Sequence, residues 1–177
     1  VLLPSVTGVS ATDALLRFLA NYAEMAVPAE LLAERNRLLQ TMRVHARALS
    51  SLRCGMVAEP DLLTDLACWL HECGISIPCA ITTGHQRQLD KLPLEQITLG
   101  DYHALEQQLA TTSALDLLLA PASLPLHQGL SRLPVVELGL HESLHFTRPE
   151  RLRLGYAGAQ QLIFTLLEKT GASPLHP

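Results

Sequence analysis

Five short apolar runs set the terms on which this chain can fold. They are Cys54-Gly55-Met56-Val57-Ala58, Ile75 to Ile81, Gln96 to Leu99, Leu115 to Ala120 and Pro134 to Leu138. Each is strand length, and helical spacing separates most of them. After Glu59-Pro60-Asp61 come Leu62, Leu63, Leu66, Trp69, Leu70 and Cys73, with Gly74 as the helix stop. Gly100-Asp101 opens a helix bearing Leu105 and Leu109. A last helix covers Tyr156 to Lys169, with Leu162, Ile163, Leu166 and Leu167 apolar and Gly171 closing it. Strands alternating with helices imply parallel βαβ units and right-handed crossovers. Those gather the loops after the strands on one edge of the sheet, where ligands bind in such folds. Pro78 is the one blemish, since proline cannot donate to a ladder.

Two helical patterns precede the first strand. Ser10-Ala11-Thr12-Asp13 reads as a capping box, with Ser10 as N-cap and Asp13 three residues on. Leu15, Leu16, Leu19 and Tyr22 follow, and the helix stops near Met25. Pro28 then takes the first position of a longer helix. Its face runs through Leu31, Leu38, Met42, His45 and Leu49. The expected fold class is therefore α/β: a Rossmann-like parallel sheet flanked by helices, preceded by a helical segment and closed by a C-terminal helix. The expected divisions are 1–50, a helical segment belonging to a preceding domain and linker; 51–150, the Rossmann-like unit; and 151–177, a helix packing back.

Composition narrows the function classes. With 177 residues, 48% of them hydrophobic and only 17% charged, the chain has the material for a packed core. Thirteen basic against seventeen acidic residues give a net charge of −4, which argues against a general nucleic-acid or anionic-membrane binder. No apolar run is long enough to span a bilayer. Aromatic residues are 4%, too few for stacking platforms. The opening Val1-Leu2-Leu3-Pro4 lacks a basic region and a cleavage site, and it begins inside an apolar run, so a piece of a longer cytoplasmic chain is expected.

The chemistry-bearing residues are sparse. Cys54, Cys68, Cys73 and Cys79 form no C-x-x-C pair. Cys68 and Cys73 point about 140° apart on one helix. Buried free thiols in a reducing compartment are expected. The first strand–helix turn, Ala58-Glu59-Pro60-Asp61, has no glycine for a pyrophosphate and two carboxylates that would repel one. No P-loop string and no G-x-S-x-G elbow occur. Gly155-Tyr156-Ala157-Gly158-Ala159 reads as a helix start packed closely on its neighbour. His45 is expected to pack between helices and His71 to be partly exposed. His85 and Arg87 sit in a polar loop, Thr83 to Lys91, that suits either an anion or plain solvation.

One string spells H-E-x-x-H: His141-Glu142-Ser143-Leu144-His145. On a helix the two imidazoles would share a face and could hold zinc, with Glu142 as general base and Glu168 as a third ligand. Here the string follows a strand directly, and Pro149 leaves room for only a short turn of helix. A loop with two surface histidines is expected.

Three stretches resemble nitrogenase component 1 chains, in their C-terminal part. The first is Gly8-Val9-Ser10-Ala11-Thr12-Asp13-Ala14-Leu15-Leu16, followed by Val27-Pro28. The second is Glu34-Arg35-Asn36-Arg37-Leu38 with His45, then Cys54 to Asp61. The third is Leu154-Gly155-Tyr156-Ala157-Gly158-Ala159. Within that family, Ala80-Ile81-Thr82-Thr83, Glu95 to Asp101 and the leucine run at 115–119 look most like β-like scaffold subunits of the NifN type, which serve iron–molybdenum cofactor biosynthesis. The resemblance implies a heterotetramer with the α-like subunit NifE and transient contact with the nitrogenase reductase, the iron protein. It also implies an iron–sulfur cluster and a cofactor precursor in the full complex, with none of them in this part. A catalytic β-type nitrogenase chain or related reductase subunit is the alternative, and a zinc hydrolase the remote one. Relatives carry Asn-Ser-x-Gly where this chain has Ala120-Pro121-Ala122-Ser123, and Gly-Phe-Pro with an Asp where it has Gly139-Leu140-His141-Glu142. No catalytic, cofactor-binding or metal-ligating residue is therefore assigned, and no enzyme activity is expected of this chain alone.

Overall fold

A computed structural model describes residues 6–94, 96–111, 114–121, 133–138 and 154–171. Helices α1 (Val9–Ala23) and α2 (Ala29–Ser50) come first. Then follow β1 (Arg53–Val57), α3 (Pro60–Glu72), β2 (Ser76–Thr82) and a 3-10 turn (Leu89–Lys91). The rest are β3 (Ile97–Leu99), α4 (Tyr102–Thr111), β4 (Leu117–Pro121), β5 (Val135–Leu138) and α5 (Gly155–Thr170). The five strands form one sheet in the order β3-β2-β1-β4-β5, every pair parallel. This is the Rossmann-like sheet the alternation implies, with the reversal of order falling between β1 and β4.

The central strands β1, β2 and β4 are mostly apolar and buried because both faces of the sheet are covered there. On β4, Leu117 and Leu119 enter one cluster, while Leu118 and Ala120 enter another. The larger cluster joins Cys54, Met56 and Ala58 to Leu63, Leu66 and Trp69 of α3 and to Ala159, Ile163 and Leu166 of α5. Leu38 and Leu49 of α2 belong to the same cluster and are fully buried. The smaller cluster sets Leu105 of α4 on Ile81 and Leu118. Among the described residues, no helix is long and apolar enough to cross a membrane.

Four local expectations change. Pro78 lies in an interior strand, and the β1–β2 register slips there: Arg53 pairs with Ser76 but Gly55 with Cys79. The extra residue is a bulge, which lets the ladder pass a residue with no N–H. The Thr83–Lys91 loop is not wholly solvated, because its 3-10 turn buries Leu89. The capping box does not form. Helix α1 starts at Val9 behind Gly8, and no side chain of its own caps it. Glu72 of α3 does so from a distance, its Oε2 accepting the backbone N–H of Val9 at 3.2 Å and of Ser10 at 3.5 Å. An acidic partner at a helix N-terminus satisfies orphan donors and the dipole together. Pro28 likewise stands one place earlier than expected, at the N-cap of α2, where its carbonyl receives Leu31 and Leu32 N–H.

Candidate functional site

The edge where a doubly wound sheet places ligands is built here from the ends of β1, β2 and β3. Glu59 is the N-cap residue of α3, with Pro60 at the first helical position. Its Oε2 accepts the Thr83 hydroxyl at 3.0 Å, and Asp61 Oδ1 accepts Gln86 Nε2 at 2.9 Å. Both carboxylates of the first turn are thus tied to the loop after β2. At α4, Asp101 Oδ1 accepts the N–H groups of His103 at 3.0 Å and Ala104 at 3.3 Å. Asp101 occupies the N-terminus of α4, and Glu59 and Asp61 stand at that of α3 without capping it, so an incoming phosphate would meet negative charge at both. The carboxylates that the sequence puts in the first strand–helix turn thus have partners visible only in three dimensions. His85 turns its Nε2 towards Asp90 Oδ1 at 3.4 Å, across an exposed part of the same loop. A depression of about 320 Å³ lined by His71, Gly74, Ile75, Ser76, Ile77 and Pro93 lies at the opposite edge, near the start of β2.

A second polar locus carries more structure. Asp13 of α1, Arg35 of α2 and Tyr156 of α5 converge. Arg35 Nε donates to both Asp13 oxygens, at 2.9 and 3.0 Å, and the Tyr156 hydroxyl donates to Asp13 Oδ1 at 2.5 Å. Burial pushes the Asp13 carboxyl up, but the Arg35 and Tyr156 hydrogen bonds outweigh it and hold its pKa below the usual carboxylate value. Burial and the neighbouring carboxylate push the Tyr156 phenol well above its ordinary range. The seam continues along α2 and α5. Gln160 Nε2 donates to Thr41 Oγ1 at 2.7 Å, and His45 meets the Phe164 ring edge-on at 6.0 Å. His45 is therefore the helix-packing histidine the periodicity suggests. The arrangement fastens three helices.

By sequence Asp13 reads as a capping residue and Tyr156 as part of a glycine-rich helix start, and no local pattern connects them. The signal was present all the same. Each of the three resembling stretches contributes one member: Asp13 from the first, Arg35 from the second, Tyr156 from the third. Gly155, with φ +68, sets the entry to α5, and its N–H meets Val6 O at 2.6 Å.

The thiols do not gather. Cys54, Cys73 and Cys79 are buried and Cys68 is exposed, against the expectation that all four are buried. Cys68 lies on the solvent side of α3, whose other side meets the sheet. Burial pushes Cys54 and Cys73 up to about 12, which opposes the thiolate a cluster needs. Among the described residues, no group of three or more His, Cys, Asp or Glu side chains could hold a metal ion. An iron–sulfur cluster does not fit the donors described here. His71 is exposed, as is Glu168 on α5. His141, Glu142 and His145 lie outside the described residues.

Comparison with known proteins supplies the context for this geometry. The chain is 28% identical over 159 residues to the nitrogenase iron-molybdenum cofactor biosynthesis protein NifN of Nostoc sp., an alignment covering 90% of this chain and 35% of that protein. It is 29% identical over 167 residues to NifN of Klebsiella pneumoniae, covering 94% and 36%. The nitrogenase molybdenum-iron protein beta chain of Frankia alni is 28% identical over 187 residues, covering 96% and 35%. The chain thus spans about a third of the length of these relatives. Among solved structures, "Nitrogenase Cp1 at pH 6.5" superposes with a TM-score of 0.86 at 20% identity, over 96% of this chain and 39% of that one. The profile of the nitrogenase component 1 type oxidoreductases matches residues 1–170, and the chain belongs to that family.

Proposed function

We propose that this chain is the C-terminal part of a scaffold subunit for nitrogenase iron–molybdenum cofactor biosynthesis. It acts with an α-like partner of the NifE type, on which the cofactor precursor is matured, and meets the iron protein transiently in the cytoplasm. The alignment with NifN proteins over nine tenths of the chain carries this reading. The donor set supports it. With its thiols scattered and two of them held as thiols by burial, this part contributes packing and loop placement, and the iron–sulfur cluster and precursor belong to the remainder of the complex. In that reading residues 1–50 connect to a preceding domain, 51–150 form the Rossmann-like unit and 151–177 pack back.

A catalytic β-type subunit is the second reading, favoured by the Frankia alni relative. One experiment separates the two. The longer protein carrying this sequence is co-expressed with the α-like partner, and the purified complex is added to an extract whose nitrogenase component 1 lacks its cofactor. Activation of that extract, with no substrate reduction by the complex itself, supports the scaffold. Direct reduction of dinitrogen or acetylene supports the catalytic subunit. Metal analysis beside a His141→Ala variant tests the zinc reading: stoichiometric zinc that the substitution removes would revive a hydrolase.

A further inference from the structure

We draw no further inference here: the strongest candidate, the exposed apolar patch that Phe18, Leu19 and Tyr22 form on the second half of α1 with Met25 just beyond its end, carries nothing, because nothing in the structure shows what covers it.

Discussion

Asp13, Arg35 and Tyr156 show how much one carboxylate can organise. Tyr156→Phe removes a hydrogen bond to a charged group and should cost about 1.5–3 kcal/mol, read as a lower urea midpoint at unchanged slope. Asp13 adds a pH dependence whose sign follows from its depressed pKa. Its contribution is complete above the unfolded value of about 3.9 and is lost as the pH falls through the lower folded value. The stability gap between the parent chain and Asp13→Asn should therefore close below about pH 4, as urea titrations at stepped pH would show. The thiols give a second check. Of the four, Cys68 alone is exposed, so Ellman's reagent should find one fast thiol in the native chain and the rest only on unfolding. None of these roles follows from residue type. An acid three places after a serine reads as a cap until α2 and α5 bring its partners.

Among the elements, α1 is the one whose cap comes from far along the chain. Gly8 has φ +92, and a Cβ there would come within 2.0 Å of Trp69 Cδ1, so backbone conformation and the indole both demand glycine. Gly8→Ala should destabilise by about 3 kcal/mol or more, measurable by thermal melting. The cap itself comes from Glu72, sixty-three residues away from Val9. Glu72→Ala should cost about 1 kcal/mol by the same assay, a cap's usual worth. Elements governed by local signals lie where the sequence puts them. Helix α3 ends before Gly74, at φ +79, and α5 ends at Gly171, at φ +64, because only a residue without Cβ enters that region freely. Pro78 is the middle case: its missing N–H is a local fact, but the bulge that absorbs it needs β1 alongside.

At the scale of the molecule, α2 is held by α5 and the core. Leu38, fully buried, should cost about 2–5 kcal/mol when truncated to alanine, and a matching fall in the unfolding midpoint would show α2 to be part of the cooperative structure. The parallel sheet was legible in the sequence because strands buried on both faces must be short and apolar, and helices between them must be amphipathic. Those are properties of single segments. The two carboxylates of the first strand–helix turn, Glu59 and Asp61, were legible for the same reason. The family resemblance was legible in three short strings, although nothing local says why those strings go together. Tertiary structure decided that. It set Asp13, Arg35 and Tyr156 on one another, turned Glu72 onto α1, separated the four thiols and left half of α1 bare. Each of these depends on groups far apart in the chain, and distance along a sequence carries no information about contact until the sheet and its helices fix where the chain returns.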